Sequence, residues 1–68
     1  MNSTPSKKES VLTFIKQFHA DIGYPPTIKE IGAALGMANS LVHYYQGKLI
    51  MEGRLERVAH SARALKVL

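Results

Sequence analysis

Cysteine is absent from these 68 residues, which excludes disulfides and thiolate metal sites. No apolar run approaches the roughly 20 residues that a membrane-spanning helix requires. The opening MNSTPSKKES has lysines but no apolar stretch behind them, so it does not read as a secretory signal. These absences fit a cytoplasmic protein with no membrane partner. No glycine-rich loop follows a strand-like run, which removes a nucleotide-binding fingerprint. His19, His43 and His60 are far apart and lack metal-ligand spacing. Serine, histidine and aspartate are all present, but a chain this short has no room for a deep pocket. No catalytic residue, metal, cofactor or small-molecule ligand is therefore expected.

Acidic residues are also scarce. Five face nine lysines and arginines, giving a net charge of +4 and a pI near 9.7, an excess that points to an anionic partner such as nucleic acid. The excess lies in the second half. Up to residue 38, Lys7, Lys8, Lys16 and Lys29 stand against Glu9, Asp21 and Glu30. From residue 39, Lys48, Arg54, Arg57, Arg63 and Lys66 stand against only Glu52 and Glu56. Hydrophobic residues make up 46% of the chain, too many for a disordered tail. One small folded domain, residues 6–68, is expected behind a polar lead at residues 1–5.

Ser6 and Glu9 have capping-box spacing: the hydroxyl accepts an early backbone N–H while the carboxylate reaches back to the cap. Val11, Leu12, Phe14, Ile15, Phe18 and Ile22 then fall on one helical face, predicting a helix to about Asp21 that Gly23 stops. Tyr24-Pro25-Pro26 cannot be helix interior. Thr27 with Glu30 forms a second capping box, opening a short helix with Ile28, Ile31 and Leu35 inward. Gly32 and Ala34 are small enough for another helix to approach, and Gly36 suits the left-handed end. A third helix follows within three or four residues, with Asn39 as the N-cap and Ser40 the second choice. Its buried side is Val42, Tyr45 and Leu49, and Gly53 ends it. Two short helices joined so tightly form a helix-turn-helix. Leu55 to Val58 and Ala64 to Leu68 change to a strand-like pattern around a basic tip, Ala59 to Arg63, and read as a hairpin. The fold class is mostly α with a small β-hairpin: a three-helix winged helix-turn-helix.

The stretch GYPPTIKEIGAALGMA resembles the corresponding segment of the LexA repressor DNA-binding domain, and the ending SARALKVL resembles that family's last wing strand. Between them, VHYYQGKLIMEGRL follows the general winged-helix pattern. Three departures stand out. The turn after Gly36 is about one residue shorter than is usual there. Gln46 occupies a position where a leucine normally packs. Gly47 sits mid-helix, at a cost of about 1 kcal/mol relative to alanine. The family's linker and self-cleaving protease domain are expected to lie outside these residues.

The resemblance implies that the start of the third helix enters the major groove of double-stranded DNA, and that the domain is a sequence-specific, nucleoid-associated transcriptional regulator. It implies repression linked to the SOS response of a bacterium or phage, with a homodimer on a palindromic site. The base readers would be Asn39, Ser40, Leu41, His43 and Tyr44. Asn can bind adenine in bidentate fashion, Ser and His can bond base edges, and Leu can meet a thymine methyl. Asn39 suits the N-cap as well, and Leu41 suits core packing equally. The helix carries only Lys48 as a fixed cation, so affinity must come from phosphate contacts elsewhere. Candidates are Lys7 or Lys8, Thr27, Lys29, Lys48, Arg54, Arg57, His60 and Arg63. Ile50 and Met51 either complete the core or form a protein contact. With Leu41 and Tyr44 they motivate the alternative, a protein-interaction module.

Overall fold

The computed structural model describes residues 6–58 and 65–68, so the lead at 1–5 and the wing tip at 59–64, with His60 and Arg63, lie outside the described residues. Helix α1 (Lys7–Ile22) starts at Ser6, whose hydroxyl accepts the Glu9 N–H at 3.2 Å, and ends at Gly23, whose N–H bonds the His19 carbonyl. Val11, Leu12 and Ile15 are buried. Phe14 and Phe18 are half-buried and continue a tilted aromatic row to Tyr24, with centroids 5.7 and 6.0 Å apart. Ile22 departs from the expected inward face and is 50% exposed. Ile22 lies in the last turn of α1, the longest of the three helices.

Helix α2 (Ile28–Leu35) forms its capping box in full: Thr27 donates its N–H to Glu30 Oε1 at 2.9 Å, and Glu30 donates its N–H to Thr27 Oγ1 at 3.1 Å. Ile31 is buried, while Ile28 and Leu35 pack against the core from its edge. Gly36 ends the helix at φ 68°, a left-handed conformation that side-chain-bearing residues rarely adopt. The Met37 N–H then donates back to the Gly32 carbonyl at 2.9 Å, folding the turn onto the helix. That fold explains the glycine at 32. A Cβ there would sit 2.7 Å from the Met37 carbonyl oxygen and 3.1 Å from Asn39 Oδ1. The close approach is thus made by the turn and by Asn39, the first residue of the next helix, while Ala34 is exposed.

Helix α3 (Asn39–Met51) is capped by Ala38 and not, as expected, by Asn39. The Ala38 carbonyl accepts the N–H groups of Leu41 and Val42, each at 3.1 Å, and no side chain caps the end. The return of Met37 to Gly32 places the extended residue one position early, and the Asn39 side chain lies over Gly32. The inward stripe of α3 is Val42, Gln46 and Leu49, with Tyr45 and Ile50 packed at its side. Gln46 is only 2% exposed, taking the core position flagged by the sequence. Among the described residues no fully buried side-chain nitrogen or oxygen lacks a partner. Met51 does not complete the core: it is 86% exposed, one residue beyond Ile50.

Glu52 caps α3 and Gly53 turns the chain into β1 (Leu55–Arg57), which pairs antiparallel with β2 (Leu65–Val67). Of the expected strand residues, Val58 and Leu68 fall outside the strands, and Ala64 lies outside the described residues. Leu55 faces Val67, Glu56 faces Lys66 and Arg57 faces Leu65. Alternation puts Leu55, Leu65 and Val67 on the face toward the helices, with Glu56 and Lys66 on the other. Leu55 and Leu65 complete a core shared with Val11, Leu12, Ile15, Ile31, Val42 and Leu49. Full burial of each large side chain there contributes about 1.5–3 kcal/mol, which offsets the marginal stability of a lone two-stranded hairpin.

Candidate nucleic-acid interface

The geometry of α3 dictates what the domain offers to a partner. Because Val42, Gln46 and Leu49 turn inward, the opposite face carries His43, Tyr44, Gly47, Lys48 and Met51, one and two turns apart. These five line an open hollow of about 400 Å³. His43, Tyr44 and Lys48 are exposed, as are Asn39 and Ser40 in the first turn, whereas Leu41 is half-buried. Lys48 Nζ stands 5.6 Å from the Tyr44 ring centroid, and Tyr44 meets Tyr45 edge-on at 5.4 Å. The lysine charge is thereby held over an aromatic face in the last turn of the helix.

A second hollow, about 300 Å³, lies on the other side of the Tyr44–Lys48 ridge. Ser6, Lys7, Lys8, Tyr44, Tyr45, Lys48 and Glu52 line it. The start of α1 and the outer face of α3 thus share one surface, bringing Lys7 beside Lys48 and Tyr44 despite their separation in sequence. The capping box leaves the amides of Ile28 and Lys29 as the outward donors of α2, with the exposed Lys29 side chain beside them. Thr27 is half-buried and its hydroxyl is already engaged with Glu30. Arg57 is exposed at the tip end of β1, on the face that Leu55 shares.

The ion pairs sort the cations. Among the described residues, Lys8 pairs with Glu52, and Arg54 pairs with both Glu9 and Glu52. Lys7, Lys29, Lys48 and Arg57 are in none of these pairs. Arg54 holds Glu9 with both guanidinium nitrogens, Nη1 to Oε2 and Nη2 to Oε1 at 2.9 Å, and its Nη1 lies 3.7 Å from Glu52 Oε1. The Arg54 hydrogen bond holds the Glu9 carboxyl below its ordinary pKa, against the opposing effect of partial burial, and the same bond raises the guanidinium. Arg54 therefore sits between two carboxylates, unlike the other described cations proposed for phosphate. Nothing in the sequence signals this network, because its members lie up to 45 positions apart.

No helix among the described residues is long and apolar enough to cross a membrane. A helix held outward in this way, on a helix-turn-helix support with a hairpin behind it, defines a class: the winged helix-turn-helix DNA-binding domain. Within that class the chain belongs to the LexA DNA binding domain family, whose model matches residues 1–64. It is 44% identical over 63 residues to the LexA repressor of Pelotomaculum thermopropionicum, covering 91% of this chain and 31% of that protein. Identity is 35% with the LexA repressor of Brevibacillus brevis and 38% with that of Bacillus pumilus, each over the whole of this chain and 33% and 34% of the relative. The chain spans about a third of the length of these relatives.

Proposed function

We propose that this domain docks α3 in the major groove of double-stranded DNA and serves a repressor of the LexA kind. The observation that carries the reading is the exposure of His43, Tyr44 and Lys48 on one face of α3, opposite the buried Val42, Gln46 and Leu49. Asn39, Ser40, Leu41, His43 and Tyr44 read base edges, while Lys7, Thr27, Lys29, Lys48 and Arg57 position the backbone. The relatives are named LexA repressors, which supports repression; control of a DNA-damage response and binding as a dimer to two half-sites extend that reading. Met51, 86% exposed beside Tyr44, favours a second reading, an apolar contact with another protein.

One titration separates the two. The chain is titrated into a fluorescent duplex bearing a LexA-type palindrome, and into a scrambled duplex, at two salt concentrations. Tighter binding to the palindrome is expected, with the preference lost in a His43→Ala, Tyr44→Ala double variant. The four cations among these phosphate contacts would make log K fall against log salt with a slope of roughly −3.6. No binding to either duplex at low salt would overturn the DNA reading and leave the protein contact in its place.

A further inference from the structure

The second half of the Ser6 capping box is missing because its glutamate is used elsewhere. Glu9 has the right spacing to reach back to the N-cap, as Glu30 does in α2. Instead its carboxylate takes the fork of Arg54, the residue immediately before strand β1. Glu52, the C-cap of α3, closes on the same guanidinium and on Lys8 of α1. Three elements thus meet on one side chain: the first turn of α1, the end of α3 and the root of the hairpin. The Arg54 backbone is held as firmly. Its N–H donates to the Leu49 carbonyl at 2.9 Å, and its carbonyl accepts the Leu68 N–H at 3.1 Å, beyond the end of β2.

We propose that Arg54 is a positioning residue for DNA binding: gripped by Glu9 and Glu52, it sets the angle at which the hairpin leaves α3, and so where the wing meets the backbone. The inference rests on the DNA-binding reading above. It differs from a phosphate contact by Arg54 itself, because a guanidinium forked onto one carboxylate and flanked by a second has its charge already matched. Only Arg has the planar fork for this grip; a lysine would supply the charge without the geometry.

The distinction has an unusual consequence. Glu9 is negative, so removing its charge should tighten binding to a polyanion if charge alone mattered. The grip requires the reverse. Palindrome affinity, its salt slope, and hydrogen exchange of the hairpin amides are to be measured on the unaltered chain and on Glu9→Gln, Arg54→Lys and Arg54→Gln. Expected is a loss of affinity of about two- to fivefold in all three, the scale of a partly exposed ion pair. The salt slope should be unchanged in Glu9→Gln and Arg54→Lys, and exchange should quicken at residues 55–57 and 65–67 but not at Val11, Ile15 or Leu49. Tighter or equal binding by Glu9→Gln, with Arg54→Gln alone shallower in slope by about 0.9, would make Arg54 a phosphate contact and overturn the proposal. Unchanged exchange at the hairpin would also overturn it. Failure of the unaltered chain to bind would instead bring down the DNA reading, so the two failures are told apart.

Discussion

The starts of α1 and α2 carry the same signal and use it differently. Each has a hydroxyl residue followed three positions later by glutamate, Ser6 with Glu9 and Thr27 with Glu30. At α2 both halves of the box close, and the glutamate satisfies the cap's own backbone N–H at 2.9 Å. At α1 only the hydroxyl half closes, at 3.2 Å, and the glutamate spans 45 positions to Arg54. Both outcomes satisfy the carboxylate. A neutral amide N–H is a weaker partner than a guanidinium offering two donors, so where the fold brings an arginine within reach the local box yields. A local motif therefore predicts that a helix starts, and much less securely where the side chain of its last residue goes.

The largest test of the contrast falls on α2, whose closing turn depends on a small residue. Gly32→Ala would press a methyl against the Met37 carbonyl oxygen at 2.7 Å and is expected to cost about 1–3 kcal/mol in urea unfolding. An unchanged midpoint would mean that the turn has room to move. Next come the caps themselves. Thr27→Ala, which removes the hydroxyl from a complete and half-buried box, should cost about 1 kcal/mol or more. Ser6→Ala removes a longer, exposed bond and should cost about 0.5 kcal/mol. Equal losses at the two sites would erase the distinction drawn between them.

The smallest effect is a pH dependence. The Arg54 hydrogen bond holds the Glu9 pKa below its ordinary value of 4.5, so the folded state binds this proton less readily than the unfolded chain does. The stabilisation from the pair is fully present above the unfolded value and is lost as pH falls through the depressed folded value. Unaltered chain and Glu9→Gln should accordingly differ in stability at neutral pH and converge in acid below the folded pKa. A difference that persists to the acid limit would show that the charge of Glu9 is not what binds it to Arg54.

Much of the frame was legible before any coordinates. Gly23, Gly36 and Gly53, with the two hydroxyl caps, mark ends that lie within a residue or two of those observed. Val11, Leu12, Ile15, Ile31, Val42, Leu49, Leu55 and Leu65 became the core. The outward face of α3 followed from the same periodicity, which is why His43 and Tyr44 were expected at the surface and are found there. The misses are of two kinds. Ile22 and Met51 belong to apolar patterns that outrun the elements available to cover them, and both are exposed. Asn39 has the chemistry of a cap, but the turn geometry hands that position to Ala38.

The sequence by itself determined where helices begin and end to within a residue or two, most of the inward stripe of each, and the tight link between α2 and α3. Those features act through backbone geometry within about four residues, and no distant partner is needed to read them. Only the tertiary structure decided that Lys7 would share a surface with Tyr44 and Lys48, and that Glu9 would leave its cap for Arg54. Those choices depend on which surfaces meet once the core closes, and a charge finds its partner only after packing has set the distance between them.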